Sequence, residues 1–268
     1  MKIIINADDF GLDSARNVAI SDAFQKGLCT QTSLIMNISG CEEAVLMSRE
    51  YGFFDRVCLH LNLTVGKPLT ENIKYIDEFC TEGVFNGKFH HSVIGRFTKK
   101  HSDIVAKEIE AQIIKYINYG FTMRHVDSHH WVQLDRKVSD VMNKLILKYG
   151  FVSIRKGENI VSIRDSDIIK QKKTYLHFSR SIMRYNRSIR KLGLITADYI
   201  GKIQNIGKYS PNIWNTAHKD ATIEFITHPI YKDGVLFDKG VAPLEDMINL
   251  LRGKEHSFIT YNELLLLK

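Results

Sequence analysis

The residues in this chain that could do chemistry gather where apolar runs stop. Asp8 and Asp9 follow Ile3-Ile4-Ile5, and two carboxylates there cannot stay buried unpaired without a cost of several kcal/mol. His60 and Asn62 lie two apart in the run Val57–Leu63, so they share one face of a strand. The richest stretch is His125-Val126-Asp127-Ser128-His129-His130-Trp131, in which period-two geometry points His125, Asp127 and His129 one way. That parity favours His129 over His130 as a ligand. Arg155 closes the run Phe151–Ile154, and His228-Pro229 closes Thr222–Thr227, where proline stops the strand and leaves the histidine at its rim. One carboxylate and two imidazoles from three strand ends make a three-ligand cation site with open positions, the pattern of catalytic rather than structural metals. Histidine and carboxylate donors suit Zn²⁺, while carboxylate and water also suit Mg²⁺ or Mn²⁺. Each residue also has a structural reading: the Asp pair as a helix cap, with Ser14 as a rival cap, His60 as a core histidine, Arg155 as a salt bridge, His228 as a loop residue. The chain shows neither a glycine-rich phosphate loop nor a G-x-S-x-G nucleophile turn.

The elements that must position these residues alternate. Strand-like runs at Lys2–Asn6, Thr32–Met36, Val57–Leu63, Phe121–Asp127, Phe151–Ile154, Thr222–Thr227 and Ser257–Thr260 are separated by helical patterns. The helices are expected at Ser14–Gln25, Glu42–Tyr51, Ser102 (as N-cap) to Tyr119, Val138–Tyr149, Leu244–Arg252 and Tyr261–Leu267. About seven βα units predict an α/β fold, a mainly parallel sheet closed into a barrel or near-barrel, with chemistry at the carboxyl ends of its strands. The chain reads as a single catalytic domain, 1–268, with a loop region at 66–100 and a basic helical insertion at about 156–220.

Composition bounds the class. The chain has 268 residues, 44% hydrophobic and 25% charged, as expected of a globular protein able to bury its own core. Its four cysteines form no CxxC pair, which suits a reducing compartment. No signal core or membrane-spanning run is visible, so a cytoplasmic location without stable membrane insertion is expected. The net charge of +7 concentrates between Lys170 and Lys191, with eight Lys/Arg and no acids. There Arg180, Arg184, Arg187 and Lys191 oppose Ile182, Tyr185, Ile189 and Leu192, a basic amphipathic helix. It reads as a solvated face over a packed one, with an acidic glycan or membrane surface as the alternative. No aromatic residues interleave along a basic groove, which argues against nucleic-acid binding. A homodimer is compatible with the sequence.

Taken in order, these pieces resemble the YdjC-like carbohydrate deacetylases, whose best-known members are chitooligosaccharide deacetylases. The resemblance rests on Asn6-Ala7-Asp8-Asp9-Phe10-Gly11, His60-Leu61-Asn62-Leu63-Thr64 and Gly66-Lys67-Pro68-Leu69-Thr70. It continues through Gly83-Val84-Phe85, His125 to His130, Arg155, Gly193-Leu194-Ile195-Thr196 with Asp198, Glu224 and His228-Pro229. It implies a distorted (β/α) barrel and one divalent metal, usually Mg²⁺, with Zn²⁺ the alternative. By the same resemblance Asp9, His60 and His129 are the metal ligands, Asp8 the catalytic base and His228 the acid. The expected substrate is an N-acetylated amino-sugar oligosaccharide. Arg155 would help hold the oxyanion, Asp127 would orient a histidine, and Trp131 would stack on a sugar ring or fill core. The chain departs from the family where further histidines usually follow the third motif; Trp131 and Gln133 stand there. A metal-dependent phosphodiesterase and a non-catalytic glycan-binding protein on the same fold are the alternatives.

Overall fold

The computed structural model describes residues 1–89, 101–157, 172–208, 220–252 and 255–267. In chain order the elements are β1 (Lys2–Phe10), α1 (Ser14–Gln25), β2 (Gln31–Leu34), α2 (Cys41–Glu50) and β3 (Val57–Leu61). A small hairpin, β4 (Cys80–Thr81) and β5 (Val84–Phe85), precedes α3 (Ser102–Asn118). Then come β6 (His125–Ser128), α4 (Arg136–Lys148), β7 (Ser153–Ile154), α5 (Lys172–Arg190), β8 (Tyr199–Lys202) and β9 (Thr222–Thr227). An antiparallel set of β10 (Pro229–Lys232), β11 (Val235–Asp238) and β12 (Ala242–Pro243) leads to α6 (Leu244–Arg252), β13 (Ser257–Phe258) and α7 (Tyr261–Leu266).

Seven parallel strands form a curled half-barrel sheet in the order β7-β6-β3-β2-β1-β9-β8. Ile195, shortly before β8, makes a parallel bridge to Ser153 of β7. One stretch of chain therefore touches both sheet edges, and the strands follow one another around the curl in chain order. β13 adds a short parallel pairing to Lys2 and Ile3 at the foot of β1.

The pleat explains why the strands read as they do. Ile3 and Ile5 of β1 face the helices in the main core, together with Leu59, Val126, Ile154, Ile223 and Phe225. Each such side chain, fully buried, contributes about 1.5–3 kcal/mol. The pairings Ile4↔Glu224, Asn6↔Gln31, Ser33↔Cys58, His60↔Asp127 and His125↔Ser153 put the alternate residues inside the curl. An apolar group of Ile4, Ala197, Ile200, Ile226, Ile259, Tyr261 and Leu264 fills the end of the curl where the strands begin. The polar residues lie above it, toward the strands' carboxyl ends. Helix α7, started by a capping box between Thr260 and Glu263, carries Tyr261 and Leu264 into that apolar plug.

The structure amends several boundaries. β1 runs on through Asp8, Asp9 and Phe10 rather than stopping at Asn6. Asp13, not Ser14, caps α1, accepting from the Arg16 N–H at 2.7 Å. Ser102 is the first residue of α3, and the preceding His101 makes no side-chain cap. The stretch read as a helical insertion also supplies β8, a sheet strand of only four residues, too short for a two-residue period to stand out. The described part of its basic helix, α5, is amphipathic as expected: Tyr185 and Ile189 are buried, while Arg180, Arg187, Arg190 and Lys191 are exposed. Residues 158–171 and 209–219 of the insertion, and 90–100 of the loop region, lie outside the described residues.

Candidate metal centre

The two adjacent carboxylates reach the same space through a bulge. β1 pairs with β2 at Ala7↔Thr32 and next at Phe10↔Leu34, so β1 carries one extra residue. Asp9 takes it up at φ +72, a left-handed conformation that aspartate tolerates better than bulkier residues. Gly11 follows at φ +86, and a Cβ there would lie 2.9 Å from Leu34 Cδ1. Both carboxylates thus turn into the mouth from inside a strand, not from a strand end.

Asp9, His60 and His129 each bring one donor atom to a common point, all within 4.8 Å of one another. The Asp9 Oδ1 atom lies 2.8 Å from His129 Nδ1 and 3.4 Å from His60 Nε2. On its other side His60 Nδ1 meets Asp127 Oδ1 at 2.5 Å. Burial alone would lower the pKa of His60, but Asp127, Asp9 and Asp8 outweigh it and raise it to about 10. Burial alone would raise the pKa of Asp9, yet the hydrogen bonds with His129 and His60 hold it well below the usual carboxylate range. A divalent cation at His60 Nε2 would take the place of the proton that these carboxylates favour there. With Nδ1–H fixed on Asp127, His60 is left with Nε2 as its ligand atom, the carboxylate–histidine arrangement that orients metal-bound histidines. The donor set therefore fits a divalent cation.

His129 reaches this point after the strand has ended. β6 stops at Ser128, and His130 and Trp131 follow with left-handed φ of 55° and 57°. That turn aims His129 at Asp9, so the strand parity invoked above is not what orients it. It sends His130 to Thr64, whose Oγ lies 3.0 Å from His130 Nδ1.

Arg155, only 1% exposed, sits beneath the cluster. Its Nη1 and Nη2 grip Asp8 with two 2.8 Å bonds, Nη2 lies 2.7 Å from Asp127 Oδ2, and Nε donates to Glu224 at 2.7 Å. Burial would raise the Asp8 pKa, but Arg155 outweighs it and holds the carboxyl far below its ordinary value. The expectation that Arg155 helps hold an oxyanion fails on this geometry: it is buried with its guanidinium turned to three carboxylates. With His60 neutral as a ligand, Asp8, Asp9, Asp127 and Glu224 face the single positive charge of Arg155, an excess of negative charge that favours a divalent cation.

His228 lies at the rim, partly exposed, just past β9. Burial, with Lys239 and Arg16 nearby, lowers its pKa to about 4 against the pull of Asp9 and Asp8. Its backbone N–H donates to Asp238 Oδ1 at 2.6 Å, a partner that sequence reading did not single out.

The other expected site residues are not drawn into the cluster. His125 is stacked on Tyr261 with ring centres 3.6 Å apart and Nδ1 3.0 Å from Ser153 Oγ; burial, then the charge of Arg155, keep it neutral. Asn62 ties the loop after β3, accepting from Thr64 and Val65 and donating to Asn37 and the Val65 carbonyl. The same loop hangs on Glu108 of α3, a fully buried carboxylate accepting from Leu69, Thr70 and Gln112. Trp131 is partly buried and packs against both apolar groups. Gln133 is buried and accepts from the Ser128 hydroxyl.

Fold and site together define an α/β half-barrel protein with a candidate cation centre at the carboxyl ends of its strands. The chain belongs to the YdjC-like family, whose model, described as YdjC-like protein, matches residues 2–266. It is 28% identical over 240 residues to a carbohydrate deacetylase of Thermoanaerobacter pseudethanolicus, covering 87% of this chain and 83% of that one. To carbohydrate deacetylase 1 of Listeria innocua it is 28% identical over 263 residues, 95% and 93% of the two chains. A carbohydrate deacetylase of Clostridium beijerinckii is 33% identical over 150 residues, 56% of this chain and 58% of that one. An Enterococcus faecalis crystal structure, described provisionally as a cellobiose-phosphate cleavage protein, is similar with a TM-score of 0.67 at 21% identity, over 98% of each chain. That likeness is one of fold. No described helix is long and apolar enough to cross a membrane.

Proposed function

We propose that this chain is a divalent-cation-dependent carbohydrate deacetylase that hydrolyses the N-acetyl amide of an amino-sugar oligosaccharide, with residues 1–268 acting as one catalytic domain. The observation that supports it is the convergence of Asp9, His60 and His129 donor atoms within 4.8 Å, with the carboxylate of Asp8 next to Asp9 on the same bulge.

When bound by Asp9, His60 and His129, a divalent cation supplies Lewis-acid polarisation of water and of the amide carbonyl. Asp8 takes one proton of the attacking water. Arg155 holds Asp8 with two parallel hydrogen bonds and so fixes the direction in which it accepts. His228 is neutral at rest; as negative charge develops at the carbonyl it takes a proton from solvent at the rim and delivers it to the departing amine, and Asp8 afterwards gives up its proton to solvent, which restores both groups. The C–N bond breaks, leaving acetate and a free amino sugar. Two imidazoles and one carboxylate favour Zn²⁺ over Mg²⁺ on donor chemistry, whereas the family resemblance points to Mg²⁺.

The phosphodiesterase alternative calls for a second cation. Among the described residues the other group with suitable spacing is Asp8, His60 and Asp127, and Arg155 already lies on two of its three members. A single-cation centre suits amide hydrolysis better.

The test is incubation of the purified protein with Zn²⁺ or Mg²⁺ and a panel of N-acetylated oligosaccharides, read by mass spectrometry. Loss of one acetyl group with equimolar acetate is expected. Phosphate-ester cleavage without acetate release would sink the reading, and glycan binding without turnover would favour a binding protein. Action in the cytoplasm is part of the proposal, in keeping with four buried, unpaired cysteines.

A further inference from the structure

We propose that Asp238 is the positioning residue of His228, holding the imidazole by its Nδ1 side so that Nε2 faces the departing nitrogen; this rests on the reading of His228 as proton carrier. Asp238 ends β11 and is 1% exposed. Its Oδ1 accepts from the His228 backbone N–H at 2.6 Å and from Thr227 Oγ at 3.1 Å, and lies 3.9 Å from His228 Nδ1. The His228 carbonyl in turn accepts from the Lys239 N–H at 3.1 Å. Both backbone polar groups of the histidine are therefore tied to the turn at Asp238 and Lys239.

A neutral side chain could have satisfied those two donors. Burying a carboxylate costs more than burying an amide, and the expense is offset only where a partner uses the charge. The His228 imidazole, with Nδ1 3.9 Å from Asp238 Oδ1, is one such partner; the other charged groups acting on Asp238 are Lys239 and Asp8. The other groups facing His228 are Asp8 and Asp9 from β1, Arg16 from α1 and Lys239 from the turn itself. Arg16 and Lys239 oppose a positive imidazole, and the Asp238 carboxylate lies on its Nδ1 side, 3.9 Å away. The hairpin carrying Asp238 is fixed in turn. Arg16 Nη1 donates to the Pro229 carbonyl at 3.0 Å, and the Tyr231 hydroxyl donates to Asp22 of α1. A buried carboxylate with three neighbours on one residue pair is thus held at a defined distance from the rim histidine.

The experiment uses the Zn²⁺- or Mg²⁺-loaded protein labelled with ¹⁵N-histidine. In the wild type, His228 should be protonated on Nδ1 in its neutral form; a bare Nδ1 overturns the proposal. Asp238→Asn, which keeps the backbone hydrogen bond, should shift that tautomer toward a mixture. It should also lower kcat for acetate release by about 10- to 100-fold, with KM and metal content unchanged. An Asp238→Asn protein that keeps the wild-type tautomer and turnover overturns it, while His228→Ala is assayed in parallel. If His228→Ala leaves turnover untouched, the proton-carrier reading fails, and the tautomer measurement still decides whether Asp238 holds the ring. Should Asp238→Ala fail to fold, the Asn variant and the wild-type spectrum carry the test.

Discussion

His60 Nδ1 lies 2.5 Å from Asp127 Oδ1, and this contact decides which nitrogen the histidine offers to the mouth. The two residues are register partners on neighbouring strands β3 and β6. A cross-strand pair therefore sets both the tautomer and the ring orientation at the proposed cation centre. Asp127→Asn would keep the shape but turn an anionic acceptor into a neutral amide. Metal affinity should fall by roughly 10- to 100-fold, as for other second partners of metal-bound histidines. Titration with Zn²⁺ followed by calorimetry measures it, and an unchanged affinity would remove Asp127 from that role.

Ligand and proton-carrier roles separate in a second set of variants. Asp9→Ala, His60→Ala and His129→Ala should each abolish metal binding and acetate release together, because each deletes one of three converging donors. His228→Ala should keep the bound metal and lose turnover by about 10²- to 10⁴-fold, the usual worth of a general acid. Metal content after gel filtration and acetate release are the two readouts. Full activity in His129→Ala would count against the ligand set, and full activity in His228→Ala against the acid.

Gly11 tests the bulge. It stands at φ +86, and its N–H donates to Asn17 Oδ1 at 2.7 Å. An added Cβ would meet Leu34 Cδ1 at 2.9 Å and the Ile35 carbonyl oxygen at 3.1 Å. Gly11→Ala should cost about 1–3 kcal/mol from conformation alone. It should also weaken metal binding, since the strain falls two residues from Asp9. Thermal denaturation and metal titration report the two effects, and an unchanged melting temperature would show that the turn yields freely.

What the sequence made legible follows from length and locality. The elements Ser14–Gln25, Thr222–Thr227 and Leu244–Arg252 have the boundaries expected of them, and of the three Leu244–Arg252 has a marked helical period. The parallel barrel-like order followed from their alternation. The β10–β12 set stayed hidden, because strands of two to four residues carry too little pattern to separate from a loop. Asp238 was hidden with it: nothing about an isolated aspartate announces a bond to a backbone ten residues earlier. The Asp8-Asp9 pair was visible as chemistry, yet the device that aims both, a bulge with a left-handed aspartate, depends on pairing with β2. Arg155 was visible as a charge at a strand end. Its partners Asp8, Asp127 and Glu224 lie far away in the chain, and only folding shows that its donors are turned to them.

Removal of Arg155 should separate stability from metal binding. Its guanidinium is the shared partner of three buried carboxylates, Asp8, Asp127 and Glu224, none more than 5% exposed. Replacing the pair by apolar groups on both sides can be neutral, but deleting one side leaves uncompensated buried charge, at about 3–5 kcal/mol. Arg155→Met should therefore lower the melting temperature by on the order of 10 °C for a chain of this size. The direction with pH follows from Asp8. Its folded pKa is depressed below an unfolded value near about 3.9, so its stabilisation is present above that value and lost as pH falls. Arg155→Met removes the cause of the depression, so the variant should lose less stability than the wild type on going from neutral to acid pH. Denaturant titrations of both proteins at neutral pH and near pH 3 give the comparison. A variant that loses as much as the wild type would mean that Arg155 does not set the ionisation of Asp8. Its metal affinity should fall less than that of Asp9→Ala, because Arg155 reaches the centre only through Asp8 and Asp127.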